Sequence, residues 1–204
     1  MGSEREHLQQ VRAYFDEHAA QQPSTQAASS DFYASQCVDA LKLKPGQRFL
    51  DIGSGLGGTT CRAAALDTSI QAVGIDLSLA MIEKARLAGS NQPNVQFIHA
   101  VFPLPMLKAK AFDSILSIDT FNLMHELQWA LVSAIRLLRP GGLFLCASTG
   151  RVDIPSAIQV QTLGVDKWVL ECRDVGFEFV KRIDQSDSSV PGGFALLFRR
   201  PENT

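Results

Sequence analysis

Phe49-Leu50-Asp51-Ile52-Gly53-Ser54-Gly55-Leu56-Gly57-Gly58 is an apolar run that ends on a carboxylate and then gives way to glycine. Glycine lacks a Cβ and tolerates φ > 0, so four glycines in the last six positions allow a tight turn and let a ligand touch bare backbone. The stretch predicts a small-molecule site on a strand-to-helix turn.

Working outward from it, short β-like runs alternate with helical ones, the pattern of a parallel sheet covered on both faces. The strand candidates are Arg48–Ile52, Gln71–Asp76, Val95–Ala100, Phe112–Ile118 and Leu143–Ser148. Helices are expected over Thr59–Leu66, over Leu79–Ala88 behind the N-cap Ser78, and over Leu127–Leu138, which stops at Arg139-Pro140-Gly141-Gly142. A further helix, Asp166–Val175, precedes two strands, Phe177–Ile183 and Gly193–Arg199, joined through Pro191-Gly192-Gly193. A hairpin joins only antiparallel neighbours, so the sheet is expected to end in one reversed strand.

Upstream, Leu8, Val11 and Phe15 fall at helical spacing between Glu4 and His18, an amphipathic helix with one apolar face. A Gln-, Ser- and Ala-rich connection, Gln21–Ser30, leads to a second helix over Asp31–Leu41 with Ser30 as its N-cap. Residues 1–45 therefore read as a helical lid and 46–204 as the core of one compact domain.

Composition limits the partners. With 46% hydrophobic residues and a net charge of -2, the chain has no global basic field for a nucleic-acid backbone or an anionic membrane. Cys37, Cys61, Cys146 and Cys172 are scattered without a C-x-x-C pair and read as reduced core residues of a cytoplasmic protein. No stretch approaches the roughly 18 apolar residues of a membrane span, and the polar N-terminus argues against a secretory signal.

The glycines admit two ligands. Gly53, Gly55 and Gly58 satisfy G-x-G-x-x-G with Asp76 beyond them, which on spacing alone allows a dinucleotide enzyme. Asp51 stands two positions before the first glycine, however, where a carboxylate can hold a cation or an amino group and would repel a pyrophosphate. The Leu138-Arg139-Pro140-Gly141-Gly142 turn and the terminal hairpin are also foreign to a plain dinucleotide domain.

Together these motifs resemble the class I S-adenosylmethionine-dependent methyltransferases of small-molecule type, over roughly Lys42 to Arg199. Phe49–Gly57 resembles the family's first motif, Val73-Gly74-Ile75-Asp76-Leu77-Ser78 the second, Phe112–Asp119 the fourth-strand motif, and Leu138–Gly142 the turn before strand five. The resemblance implies an α/β, Rossmann-like sheet of order 3-2-1-4-5-7-6 with strand seven antiparallel and helices on both faces. It implies S-adenosylmethionine as cofactor. Asp76 would accept from both ribose hydroxyls, with an N-terminal helix cap as its ordinary alternative. Leu77 would pack on adenine, Gly53 and Gly55 would admit the methionine portion, and Asp51 would hold its ammonium directly or through water, or else merely cap the glycine loop. Ala100, Val101 and Ile118 complete the expected cofactor wall. Val101 departs from the pattern, because it stands where such proteins commonly carry an acid for the adenine amino group, and a Val side chain accepts no hydrogen bond.

Candidates for proton transfer or acceptor contact are few. Asp119 follows strand four at the carboxyl edge where open α/β proteins bind ligands, and a loop carboxylate is its plain alternative. His125 is a candidate general base, with a partly exposed helix-start histidine as its plain alternative, and it falls two places later than the histidine of the phosphobase methyltransferases that the glycine spelling also resembles. Tyr33 belongs to the expected lid and is a candidate for substrate contact, with ordinary packing on its helical stripe as the plain alternative. Phe15, Tyr33, Phe102, Phe121 and Met124 are possible apolar walls. After strand four stands Asp119-Thr120-Phe121-Asn122 rather than an Asn-Pro-Pro-aromatic run, which disfavours nucleic-acid substrates. The expected function is methyl transfer to an oxygen, nitrogen or carbon nucleophile of a small organic acceptor. A non-catalytic binding or regulatory protein of the same fold and an NAD-dependent oxidoreductase are the rivals. Oligomeric state stays open, since the apolar face of the first helix can cover its own site or a partner's.

Overall fold

The computed structural model describes residues 3–21, 32–149, 154–183 and 193–202. Its elements, in order, are α1 (Glu4–Gln21), α2 (Phe32–Ala40), β1 (Arg48–Ile52), α3 (Gly58–Ala65), β2 (Gln71–Asp76), α4 (Leu79–Ala88), β3 (Val95–His99), β4 (Phe112–Ile118), α5 (Leu127–Leu137), β5 (Leu138–Ser148), α6 (Val165–Asp174), β6 (Glu178–Arg182) and β7 (Phe194–Arg199). The expected N-cap Ser30 and most of the Gln21–Ser30 connection lie outside the described residues, as do Pro191 and Gly192.

The seven strands form one sheet of order β3-β2-β1-β4-β5-β7-β6. Strands β1 to β5 run parallel and β7 is antiparallel to both β5 and β6, so the reversed strand lies where the hairpin pattern predicts it. Successive side chains on a strand point to opposite faces, and the core divides accordingly. Leu50, Ile52, Phe144 and Cys146 pack with α5 and α6 on one face, in a cluster that includes Trp168 and Cys172. Phe49, Leu116, Leu145 and Ala147 pack with α2 and α3 on the other. Beside α3, Ile82 and Ala85 of α4 cover Phe97 of β3.

Two boundaries differ from expectation for physical reasons. Strand β3 ends at His99, the last residue paired with β2, and Ala100 N completes that parallel ladder by donating to Asp76 O at 3.0 Å. Strand β5 begins at Leu138 rather than Leu143, since Arg139-Pro140-Gly141-Gly142 is a bulge within the strand and not a turn before it. Leu138 pairs with Phe112 and Leu143 with Ser114, so the residues between bow out of register. Arg200 holds the bulge. Its backbone carbonyl accepts from Gly141 N at 2.9 Å and its N–H donates to Gly142 O at 2.9 Å. Its Nη1 donates to Ile135 O at 2.9 Å and Leu138 O at 2.8 Å, which satisfies carbonyls at the end of α5.

Helix α1 packs on α4 rather than on the sheet. Asp16 Oδ1 accepts from Ser78 Oγ at 2.5 Å and from Ala80 N at 3.4 Å, so it joins the N-terminus of α4. Lys84 Nζ donates to Ala19 O. At the opposite end, His7 is buried and its Nε2 lies 2.7 Å from Leu123 O. A carbonyl only accepts, so this nitrogen carries the proton. Fastened at both ends, α1 lies across the carboxyl edge of the sheet.

Candidate functional site

A cavity of about 330 Å³ opens at that edge, within the range of small-molecule sites. The β1–α3 turn, the ends of β2 and β4, the segment after β3 and the inner face of α1 line it.

Glycine is required at the turn. Gly53 has φ +77, and a Cβ built on it would fall 1.9 Å from Thr120 Oγ1, so any side chain there collides with the chain leaving β4. Gly55 has φ +50 but faces open space, with nothing within 4 Å of a built Cβ. The backbone is thus bare at the cavity, and the turn is tied back to β2 by Gly53 N and Ser54 N, which donate to Ile75 O at 2.8 and 3.0 Å.

Asp76 closes β2 and lines the cavity although only 8% exposed. Its Oδ2 accepts from Gly55 N at 2.9 Å and its Oδ1 from Ser78 N at 2.8 Å. Burial pushes its carboxyl above the ordinary value of 3.8, against the pull of those two N–H groups and of His99. The ordinary alternative also has a basis here, because Ser78 caps α4 through Met81 N at 3.1 Å and Asp76 orients Ser78.

Asp51 is placed differently. It is 2% exposed and absent from the cavity lining, on the α3 side of the sheet. Its Oδ2 accepts from Thr60 Oγ1 at 2.7 Å and from Thr59 Oγ1. Burial raises its pKa to about 6, while the two hydroxyls lower it and Asp76 raises it. The strand period explains the placement. Ile52 faces α5 and the cavity, so Asp51 must face α3.

Leu77, Ala100, Val101 and Ile118, expected as cofactor wall, all line the cavity with Gly53, Gly55 and Asp76. Asp119 lines it as well, in a left-handed conformation with φ 52. Its Oδ1 accepts from Ser148 Oγ at 3.0 Å and Thr149 N at 2.8 Å, and its Oδ2 from Thr149 Oγ1 at 2.6 Å. The carboxylate therefore ties the end of β4 to the end of β5.

The other two catalytic candidates lie away from the cavity. Tyr33 sits on α2, across the sheet, and its hydroxyl, with one proton to share, lies 2.5 Å from Phe194 O and 3.1 Å from Ser148 O. His125 stands outside the lining, with Nδ1 3.2 Å from Glu126 Oε1 and its ring 5.9 Å from that of His7. The extra residues before it carry the chain through a 3-10 turn, Phe121–Leu123, and past the rim. Of the expected apolar walls, Phe15, Phe102 and Met124 line the cavity, while Phe121 is buried in the core. Sequence reading missed Tyr14 and His18, which stack with ring centroids 5.8 Å apart, and Thr149. The four-residue spacing of Tyr14 and His18 beside the Leu8–Val11–Phe15 stripe was the available signal.

The lining suits a particular charge. Among the described residues it carries Asp76 and Asp119 but no Lys or Arg. A pyrophosphate would enter against two carboxylates, whereas a cationic ligand would be favoured. A buried carboxylate beside bare backbone, in a cavity with no Lys or Arg among the described residues, fits the ribose and the sulfonium-bearing methionine of S-adenosylmethionine.

The fold is Rossmann-like, with this cavity at the carboxyl edge of its sheet. Residues 50–146 match the family described as a methyltransferase domain. The chain is 32% identical over 160 residues to phosphoethanolamine N-methyltransferase of Triticum aestivum, covering 74% of this chain and 32% of that protein. To 24-methylenesterol C-methyltransferase 2 of Oryza sativa subsp. japonica it is 28% identical over 173 residues, covering 74% of this chain and 47% of the other. The chain thus spans about a third to a half of the length of these relatives. The crystal structure of a SAM-dependent methyltransferase from Aquifex aeolicus superposes with a TM-score of 0.71 at 15% identity, over 90% of this chain and 97% of that one. No helix among the described residues is long and apolar enough to cross a membrane.

Proposed function

We propose that this chain transfers a methyl group from S-adenosylmethionine to an oxygen, nitrogen or carbon nucleophile of a small organic acceptor in the cytoplasm. The observation that carries the reading is the junction of the bare Gly53–Gly55 backbone with Asp76, joined by the Gly55 N to Asp76 Oδ2 bond of 2.9 Å at the floor of the cavity. In this reading Asp76 accepts from the ribose hydroxyls, and Leu77, Ala100 and Val101 flank the adenine. Gly53 and Gly55 meet the methionine end, and Ile118 closes the wall beneath it. Asp51 acts on the ammonium end as a charge behind the turn rather than by contact, since it lies outside the lining.

S-adenosylmethionine, when bound, supplies an electrophilic methyl on a sulfonium leaving group, so the chain's own tasks are to orient the acceptor and exclude water. Helix α1 does the second by covering the carboxyl edge. Asp119 is a positioning residue in this scheme, because its oxygens already accept three hydrogen bonds that fix Ser148 and Thr149 at the rim. No proton transfer is assigned to Tyr33 or His125, which lie outside the cavity. The names of the relatives, a phosphoethanolamine N-methyltransferase and a sterol C-methyltransferase, support a small acceptor and leave the attacking atom to be determined.

The test is to incubate the protein with S-adenosylmethionine and a library of small acceptors and to follow S-adenosylhomocysteine. Acceptor-dependent product is the expected result. Tight cofactor binding with no acceptor-dependent product across the library would point instead to a binding or regulatory protein.

A further inference from the structure

We infer that the acceptor is an apolar molecule selected by the inner face of α1, and that phosphate-bearing and other anionic acceptors are refused. The inference rests on the methyl-transfer reading of the same cavity. Three independent features carry it.

The first is the wall opposite the glycine turn. Leu8, Val11 and Phe15 of α1 face Leu123 and Met124 beyond β4, and Phe102 closes the side. The apolar lining is continuous with a packed cluster, since Val11, only 3% exposed, packs with Leu123 and Ile158. An acceptor entering here exchanges water for hydrocarbon contact, at about 25 cal/mol for each Å² buried.

The second is charge. Among the described residues, the ionisable groups that line the cavity are Tyr14, His18, Asp76 and Asp119, with no Lys or Arg. A phosphate group taken out of water needs cations or several aimed donors to replace its hydration. Here it would meet two carboxylates. Asp119 already accepts from Ser148 Oγ, Thr149 N and Thr149 Oγ1, so its lone pairs are largely taken up at the rim while its charge still faces the cavity.

The third is that α1 is built into place. His7 donates to Leu123 O at 2.7 Å near one end, and Asp16 holds Ser78 Oγ and Ala80 N near the other. The stripe at positions 8, 11, 15 and 18 is therefore fixed toward the cavity and not merely resting on it.

The experiment titrates Nile red, an uncharged apolar fluorophore, into protein saturated with S-adenosylhomocysteine, with phosphoethanolamine and inorganic phosphate as competitors. One saturable site is expected, and neither competitor displaces the dye at millimolar concentration. Leu8→Lys weakens the dye at least about tenfold by placing a charge in the wall. Phe15→Ala weakens it several-fold and guards against a folding defect in the first variant. Trp129→Ala, on the exposed face of α5 at 56% exposure, leaves it unchanged. Displacement by phosphoethanolamine overturns the inference, as does dye binding that ignores both α1 variants. Retained S-adenosylhomocysteine binding without any dye site overturns the inference alone, whereas failure of S-adenosylhomocysteine to bind overturns the methyl-transfer reading beneath it.

Discussion

Replacing Asp51 by asparagine should change stability in a way that depends on pH. The carboxyl is buried under the glycine turn, and burial raises its pKa from 3.8 to about 6 despite the Thr59 and Thr60 hydroxyls that donate to it. The folded chain therefore holds this proton more tightly than the unfolded chain does. Stability from this group is lost as pH rises from about 3.8 through about 6, and the full cost is present above that. The gap corresponds to about 3 kcal/mol. The asparagine side chain would keep an acceptor for both threonine hydroxyls and remove the charge. Its amide donors carry a cost of their own, on the order of 1–3 kcal/mol if unpaired, but that cost does not vary with pH. The informative quantity is thus the difference in Tm between Asp51→Asn and the wild type, followed by calorimetry from pH 4.5 to 8. It should shift in the variant's favour by several degrees across pH 5 to 7 and level off above, approaching roughly 6–12 °C for a chain of this size over the full titration. A difference that stays flat over the whole range would refute the reasoning and make Asp51 an ordinary capping residue.

Other substitutions probe the turn, the bulge and the cover. Gly53→Ala meets Thr120 Oγ1 at 1.9 Å and should unfold at markedly lower urea, whereas Gly55→Ala, with nothing within 4 Å, should cost only the left-handed strain of about 1–2 kcal/mol; equal midpoints would contradict the packing argument. Arg200→Met strands the carbonyls of Ile135 and Leu138 and should lower stability by about 2–3 kcal/mol in urea denaturation. Asp16→Ala removes the acceptor at Ser78 Oγ and Ala80 N and should speed amide exchange in α1 while the exchange of β1 and β4 stays unchanged.

Much of the core was legible because its signals are local. The apolar runs of β1, β2 and β4 end where their charged or glycine residues stop the pattern, and Ser78 caps α4 as its position before the helix predicts. The bulge in β5 was not legible, since Pro140-Gly141-Gly142 reads as a stop signal and only the distant Arg200 backbone turns it into strand. At the site, residues that follow the ends of β2, β3 and β4 reach the cavity because the topology delivers every parallel strand's carboxyl end there. Tyr33 and His125 lie outside the cavity for a different reason. Their side chains depend on where α2 docks and on the length of the 3-10 turn after Thr120, and neither is written in spacing. Tyr14 and His18 share that dependence, because the face α1 presents is fixed by His7 with Leu123 and Asp16 with Ser78, pairs far apart in the chain.

Calorimetric titration with S-adenosylmethionine, S-adenosylhomocysteine and NADH, on the wild type and on Asp76→Ala, tests the central claim most directly. The account predicts that the wild type binds both adenosyl ligands and not NADH. In Asp76→Ala, loss of hydrogen bonds from the ribose hydroxyls to a carboxylate should weaken binding by roughly tenfold or more. Wild-type protein that binds NADH and neither adenosyl ligand, or Asp76→Ala that binds as tightly as the wild type, would contradict it.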